Sequence, residues 1–145
     1  MNAGKKIKVI VTMIGLDGHT TGGEVVSMML RDAGIEVVYL GNNQTPEMIV
    51  QAAIQEDVDA IGISSHASNY HQIEEVLELL KKKDAADVPV ICGGNIPRHQ
   101  AQILRGKGVA DIFPPGSSSE SIVDCIVSKS RKSGSIAAGG ILVSR

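Results

Sequence analysis

Residues 6–23 read KIKVIVTMIGLDGHTTGG, and this stretch decides the fold of the chain. Residues 6–14 form a mainly apolar, β-branched run, which is typical of a buried strand. A glycine-containing loop follows, and from Glu24 onward the apolar residues take the spacing of a helix, at Val25, Val26, Met29, Leu30 and Ala33. Gly34 then predicts the end of that helix. The opening unit is therefore predicted to be a strand, a loop and a helix.

The same unit recurs along the chain. Further strands are predicted at residues 36–40, 59–63, 88–92 and 110–113. A helix is predicted after each strand. The second helix starts at Thr45 and Pro46, the fourth starts at Pro97, and the last covers residues 119–127. The apolar residues on one face are Ile49, Val50, Ala53 and Ile54 in the second helix, Ile73, Val76, Leu77 and Leu80 in the third, and Ile103 and Leu104 in the fourth. This alternation predicts an α/β domain with a five-stranded parallel, doubly wound sheet.

Composition narrows the classes of function. The chain has 145 residues, of which 43% are apolar and 2% aromatic, so an aliphatic core in one domain is expected, with residues 1–130 in the domain and 131–145 as a Ser/Gly-rich tail. A formal charge of -2 favours neither nucleic acid nor a membrane surface as a partner. No apolar run approaches the roughly 18 residues of a membrane span, and we expect a cytoplasmic protein. Cys92 and Cys125 lack metal or redox spacing and are expected to be reduced.

Ligands of doubly wound sheets bind at the carboxyl ends of the strands, where the strand order reverses. The predicted ends are residues 15–23, 41–45, 64–70, 93–97 and 114–119, and the first and third of them should flank the reversal. In the first of these loops stands Asp17-x-His19-x-x-Gly22. A neutral imidazole is a good ligand for a transition metal, and a carboxylate two residues away can hold its other nitrogen and fix its tautomer.

With this motif the sequence resembles the cobalamin-binding domain of the methylmalonyl-CoA mutase and glutamate mutase group, whose signature is Asp-x-His-x-x-Gly. The likeness extends over most of the chain, through Ser64-Ser65-His66, Gly93-Gly94 and Pro115-Gly116-Ser117. The resemblance implies a flavodoxin-like, Rossmann-type domain in which His19 is the lower axial ligand of cobalt and Asp17 orients it. It further implies that the freed nucleotide tail of the cofactor lies beside the sheet. The cofactor-binding set that it implies is Asp17, Gly18, His19, Thr20, Thr21, Gly22, Ser64, Ser65, His66, Gly93, Gly94, Pro115, Gly116 and Ser117, with no catalytic residue on this chain.

Two positions depart from the family pattern. His66 stands where the family usually has a leucine, so an apolar contact on the cofactor tail would become a polar or stacking one. Met13 stands four residues before Asp17, where acyl-CoA mutases often carry a lysine. Neither departure removes the proposed cobalt ligand.

The resemblance implies the small subunit of an adenosylcobalamin-dependent carbon-skeleton mutase, an isomerase that works as a heteromer. Its large subunit would be a TIM barrel that holds an acyl-CoA substrate such as methylmalonyl-CoA, isobutyryl-CoA or 2-hydroxyisobutyryl-CoA. The alternative is a corrinoid carrier for methyl transfer, although such carriers usually have a helical cap before the first strand. A receiver-like signalling domain is a third interpretation, but Asp17 has no acidic neighbour. A zinc site built from His66, His71, His99 and Cys92 is disfavoured by their spacing.

Overall fold

The chain folds into a parallel sheet with helices on both faces. The computed structural model describes residues 7–14, 21–65, 70–94, 96–114 and 117–130. In chain order the elements are β1 (Lys8–Ile14), α1 (Thr21–Asp32), β2 (Glu36–Gln44), α2 (Pro46–Glu56), β3 (Ala60–Ser65), α3 (Tyr70–Lys82), β4 (Val90–Gly94), α4 (Arg98–Lys107), β5 (Asp111–Phe113) and α5 (Ser119–Lys129). The predicted fold class is confirmed. The tail and the domain boundary at residue 130 stay predictions, because residues 131–145 lie outside the described part.

The sheet has the order β2-β1-β3-β4-β5, and every neighbouring pair is parallel. The chain moves to one side of β1 for β2 and to the other side for β3, so the strand order reverses between β1 and β3. The predicted position of the reversal is confirmed. The first loop and the segment after β3 therefore leave the sheet side by side at its carboxyl edge.

Two apolar layers cover the two faces of the sheet. One layer packs α2, α3 and α4 against the sheet around Ile10, Ile61 and Leu104, and we call this side the α2–α4 face. The other packs α1 and α5 around Val11, Leu30 and Ile126, and we call it the α1/α5 face. Each fully buried aliphatic side chain contributes about 1.5–3 kcal/mol. Aliphatic side chains fill most of both layers, with Tyr70 packed against one and with Tyr39 and Phe113 packed against the other.

Two helix starts follow the chemistry of their sequences. Thr45 precedes α2, and its Oγ1 accepts a hydrogen bond from the backbone N–H of Met48 at 3.2 Å, with Pro46 in the first helical position. Ser118 precedes α5 in the same way, and its Oγ accepts from the N–H of Ser121 at 3.1 Å. The predicted start of α2 at Thr45 and Pro46 is confirmed.

The second strand is longer than predicted. The sequence predicted an end at residue 40 and a loop after it, but β2 continues to Gln44. Its pairing with β1 shifts register on both sides of Thr12, and Gly41 takes a φ of 79° there. The Thr12 hydroxyl donates to the Gly41 carbonyl oxygen at 3.0 Å and holds the irregular pair together. The glycine that indicated a loop instead pairs with Thr12 beside a bulge of a longer strand.

The third and fourth strands also end later than predicted. Ser64 pairs with Gly93, and Ser65 pairs with Gly94, so all four residues belong to the sheet. Ser64 and Ser65 are the last residues of β3, and Gly93 and Gly94 are the last residues of β4. The extra length carries these residues to the carboxyl edge where a ligand would bind.

Two helix faces differ from the predicted stripes. Val25 is 40% exposed and Ala33 is also exposed, whereas Ser27 on the same helix is only 2% exposed. On α2, Ile54 was predicted to be buried but is 44% exposed. The apolar spacing therefore located both helices but misjudged how each is rotated about its axis.

Candidate functional site

The site predicted from the sequence lies only partly within the described residues. Asp17, Gly18, His19 and Thr20 lie outside them, as do His66, Pro115 and Gly116. Thr21 and Gly22 are the first residues of α1, which begins directly after the first loop. Ser64, Ser65, Gly93 and Gly94 end β3 and β4, and Ser117 precedes α5. The described members thus gather at the carboxyl edge of the sheet, which is where the sequence placed the site.

One face of the central strands is open to solvent at this edge. Along β3 the side chains of Ile61, Ile63 and Ser65 are buried, whereas Gly62 and Ser64 are partly exposed. On β4, Cys92 is buried and the next residue, Gly93, is partly exposed. Central strands of a doubly covered sheet are normally buried on both faces. The alternating exposure therefore indicates a cleft over one face.

The cleft lies on the α1/α5 face. A Cβ atom added to Gly62 would lie 3.9 Å from Cδ1 of Ile126 on α5, and one added to Gly93 would lie 4.0 Å from Cβ of Phe113. Both neighbours belong to the α1/α5 layer. We call the space above Gly62, Ser64 and Gly93 the slot. Its floor is made of two glycines and a serine, so a flat group can approach the strands closely.

The two glycines of β4 have different roles. Gly93 leaves room, because the nearest atoms to an added Cβ would be at 3.9 Å or more. Gly94 has a φ of 112°, and a Cβ there would overlap the carbonyl oxygen of Ser65 on the neighbouring strand. Gly94 is therefore needed for the close approach of β3 and β4, whereas Gly62 and Gly93 keep the floor of the slot low.

The two serines at the end of β3 point to opposite faces. Ser65 is fully buried, and its partner in the sheet is Gly94. Ser64 is partly exposed and occupies the slot face, two residues after Gly62. Of the two hydroxyls that the sequence singled out, the Ser64 hydroxyl is thus the one that lies beside the slot. Beyond β5, the Ser117 hydroxyl donates to the Pro114 carbonyl oxygen at 2.8 Å and shapes the turn into α5.

Sequence reasoning missed two residues of this region, Gly62 and Ser27. Gly62 lies inside an apolar run, where nothing in the sequence indicates which face it occupies. Ser27 lies on α1 three residues before the fully buried Leu30, and its Oγ is buried without a hydrogen-bond partner in the described structure. A polar residue at this spacing from a buried leucine was the available signal.

The charged groups nearest this layer already have partners. Asp111 on β5 accepts a hydrogen bond from Sγ of Cys125 at 3.4 Å, and its other carboxylate oxygen lies 3.4 Å from Arg105. Burial, together with the Asp111 hydrogen bond, raises the pKa of Cys125 to about 11, so the thiol is protonated at neutral pH. Among the described residues, no group of three metal-ligating side chains occurs. The slot is neutral along its described floor, which suits an uncharged heterocycle better than an anion.

A family model described as B12 binding domain matches residues 7–123 of the chain. The chain belongs to the B12-binding domain family. This membership confirms the resemblance drawn from the Asp17 to Gly22 motif and the later elements. A match of this length includes all five strands, so the family assignment covers the whole sheet and not one loop.

Among curated relatives of this B12-binding domain, the small subunit of pivalyl-CoA mutase from Xanthobacter autotrophicus is 40% identical, over 89% of this chain and 87% of the relative. The small subunit of 2-hydroxyisobutanoyl-CoA mutase from Aquincola tertiaricarbonis is 39% identical, over 83% of this chain and 89% of the relative. Methylmalonyl-CoA mutase from Rhizobium meliloti is 37% identical over 88% of this chain, which is only 19% of that protein. Domains like this one thus occur both as separate subunits and within a longer mutase.

Solved structures agree on the fold. A cobalamin-binding protein from Desulfitobacterium hafniense has a TM-score of 0.73 and 20% identity, over 83% of this chain and 58% of that one. The receiver domain of a response regulator from Mycobacterium tuberculosis has a TM-score of 0.66 and 14% identity, over 85% of this chain and 94% of that one. Because both classes share the fold, the family match separates them where the architecture does not. In the described part of the B12-binding domain, no helix has the length and apolarity to cross a membrane.

The described floor of the slot fits the group that this family binds. The nucleotide tail of cobalamin ends in a flat heterocycle, which needs a long opening beside the sheet and small residues beneath it. Gly62 and Gly93 provide that space, and Ser64 offers a hydroxyl at its upper end. Packing of a flat ring on bare backbone and aliphatic side chains excludes water from the tail.

Proposed function

We propose that this chain is the small, cobalamin-binding subunit of an adenosylcobalamin-dependent carbon-skeleton mutase that acts on an acyl-CoA together with a large TIM-barrel subunit. One structural observation carries the proposal: in a B12-binding domain, the face of β3 and β4 toward α1 and α5 is open above Gly62, Ser64 and Gly93. The two small-subunit relatives, each matched over most of its length, support the type of enzyme.

In this proposal the first loop holds the metal. His19 is the lower axial ligand of cobalt, and Asp17 accepts a hydrogen bond from the other ring nitrogen and thereby keeps the imidazole in one tautomer. Gly18, Thr20, Thr21 and Gly22 complete the loop and begin α1. In the sequence, α1 follows His19 closely, with Thr21 as its first residue.

The remaining proposed residues border the nucleotide tail. Ser64 donates to the tail from the upper end of the slot, Gly93 lies beneath it, and Ser65 and Gly94 hold the two strand ends together. His66, Pro115, Gly116 and Ser117, which follow β3 and β5 in the sequence, complete the proposed set. His66 replaces the leucine of related domains, so its ring makes a polar or stacking contact with the tail. These residues bind and orient the cofactor, and none of them takes part in a chemical step.

The large subunit supplies the substrate site. Adenosylcobalamin, when bound, supplies a carbon-centred radical by breakage of its cobalt–carbon bond, and such a radical must be shielded from water. A domain of this size covers one side of a corrin ring, and a TIM barrel of about 250 residues covers the other. The matched stretch of methylmalonyl-CoA mutase, which is 19% of that protein, supports such a division. Methylmalonyl-CoA, isobutyryl-CoA and 2-hydroxyisobutyryl-CoA are the candidate substrates, and side chains of the large subunit select among them.

The experiment that tests this proposal is a visible absorption titration of the chain with cobalamin. Wild-type protein should bind and shift the spectrum to the form in which the cofactor base is released and an imidazole is bound to cobalt. His19→Ala should abolish that form. His71→Ala is the matched control, because His71 is an exposed histidine on α3, and it should behave as wild type. Equal spectra and affinities for wild type and His19→Ala would contradict the assignment of the ligand.

A further inference from the structure

Ser27 is a buried serine on α1, the helix that packs against α5, β1 and β2. Its side chain is 2% exposed, and its Oγ has no hydrogen-bond partner in the described part of the chain. Its neighbours along the helix set its direction: Leu30, one turn later, is fully buried in the α1/α5 layer, whereas Met28 is 61% exposed. Ser27 therefore lies on the side of α1 that faces the sheet.

The depth of Ser27 matches that of the slot. Helix α1 begins at the carboxyl edge of the sheet and runs back along it, so Ser27, six residues after Thr21, lies about 9 Å below that edge. On β3, Gly62 lies two residues below Ser64, which is about 6.6 Å along the strand. Ser27 on α1 and Gly62 on the sheet are thus at a similar depth within the same layer. A tail that extends from the slot over the neighbouring strand β1 would therefore pass beneath α1, which packs on β1.

An unpaired buried hydroxyl is unusual. Serine in a helix usually bonds to the carbonyl four residues earlier or to a neighbouring group, and burial without any partner disfavours the folded state. The presence of such a destabilising residue is explained if a bound ligand supplies its hydrogen-bond partner. The family of this chain binds cobalamin, and the layer around Ser27 holds the opening for it.

We propose that Ser27 binds the nucleotide tail of cobalamin, with its hydroxyl donating a hydrogen bond to an acceptor atom of that tail. The inference rests on the proposed function, since it requires that the slot holds the tail. It adds a contact from α1, opposite the strand residues Ser64 and Gly93. Ser27 would then contact the side of the tail that faces α1, while Ser64 contacts the tail at the edge of the sheet. Closure of α1 over the cofactor would thereby be favoured by a specific bond in addition to apolar packing.

The test compares Ser27→Ala with wild type in three measurements on the full chain. Affinity for cobalamin should fall about threefold to tenfold, the effect of one lost hydrogen bond. Affinity for cobinamide, which has the same corrin ring but no nucleotide tail, should not change. The thermal midpoint of the free protein should rise by about 2–6 °C, because an unpaired buried hydroxyl has been removed. Ser128→Ala is the matched control, since Ser128 is exposed on α5 and its substitution should change none of the three.

The outcomes separate this inference from the proposed function. If wild type binds cobalamin and Ser27→Ala binds it equally well, Ser27 does not contact the tail and only the inference fails. If Ser27→Ala lowers the thermal midpoint and weakens binding of both corrinoids alike, Ser27 has a structural role and the inference is again wrong. If wild type binds neither corrinoid, the proposed function itself fails, and the inference fails with it. A raised midpoint together with weaker binding of cobalamin supports the inference even where cobinamide binds too weakly to measure.

Discussion

Replacing Gly62 by alanine should strengthen the folded chain and weaken its binding of cobalamin. The backbone of Gly62 is not in the left-handed region, and an added Cβ would lie 3.6 Å from the carbonyl oxygen of Ile10 and 3.9 Å from Cδ1 of Ile126. These are ordinary contact distances, so the methyl group fits the free protein without strain. The same methyl group stands on the floor of the slot, where the cofactor tail would lie.

The two effects have estimable sizes. Alanine at a compatible position restricts the unfolded chain and stabilises the fold by about 0.4–1 kcal/mol. An extra methyl group in a closely packed contact costs about 1–3 kcal/mol. If the tail packs directly on the strand, this cost appears as a cobalamin affinity that is roughly 5-fold to 150-fold weaker. Stability and affinity should therefore change in opposite directions.

Urea unfolding of the free protein and spectroscopic titration with cobalamin measure the two quantities. Gly106→Ala is the matched control, because Gly106 is an exposed glycine in α4 with no atom within 4 Å of an added Cβ. It should stabilise the helix by about 1 kcal/mol and leave the affinity unchanged. If Gly62→Ala bound cobalamin as wild type does, or if both variants lost affinity to the same extent, Gly62 would not lie beneath the cofactor tail.

Three further predictions concern residues that stabilise the sheet around the site. Thr12→Val should lower the free energy of unfolding in urea by about 1–2 kcal/mol, because the Gly41 carbonyl loses its hydroxyl donor. Thr12→Ser should recover most of that loss. A valine variant as stable as wild type would contradict the role of this hydrogen bond. Gly94→Ala should destabilise the folded chain by at least about 2 kcal/mol, because the residue has a φ of 112° and the new Cβ would overlap Ser65. A variant with the urea midpoint of wild type would contradict this prediction. Burial raises the pKa of Cys92 from 9.0 to about 12, so its contribution to stability is complete below pH 9 and is lost as the pH rises toward 12. The free energy of unfolding, measured with urea, should fall across that window by up to about 1.4 kcal/mol per pH unit, and a Cys92→Ala variant should show a shallower fall.

Much of the architecture follows from the sequence alone. Unbroken β-branched runs alternate with amphipathic stretches, and this order permits a parallel sheet with right-handed crossovers and little else. The strand reversal between β1 and β3 also follows, because a doubly wound sheet reverses its strand order after the first strand. The family could be predicted as well, since the Asp17 to Gly22 motif and the later glycine and serine pairs occur in the expected order along the chain.

The faces of the elements could not be predicted. A strand covered on both sides is apolar at every position, so its sequence lacks the alternation that would show which residues share a face. The sequence could not distinguish Ser64 from Ser65, although the sheet places one beside the slot and buries the other. It also could not show that Gly62 forms a floor. The rotation of α1, which buries Ser27 and exposes Val25, depends on how α1 packs against α5 and the sheet.

The residues and their spacing were enough to predict the kind of protein, a doubly wound α/β domain of the B12-binding family. These features depend on local periodicity and on motifs of a few adjacent residues, which a sequence records directly. Only the tertiary structure decided that β2 continues past Gly41, that Gly94 serves strand contact while Gly93 leaves space, and that Ser27 is buried without a partner. Each of these three features depends on contacts between residues that are far apart in the sequence. Such contacts are fixed only when all the strands and helices pack together.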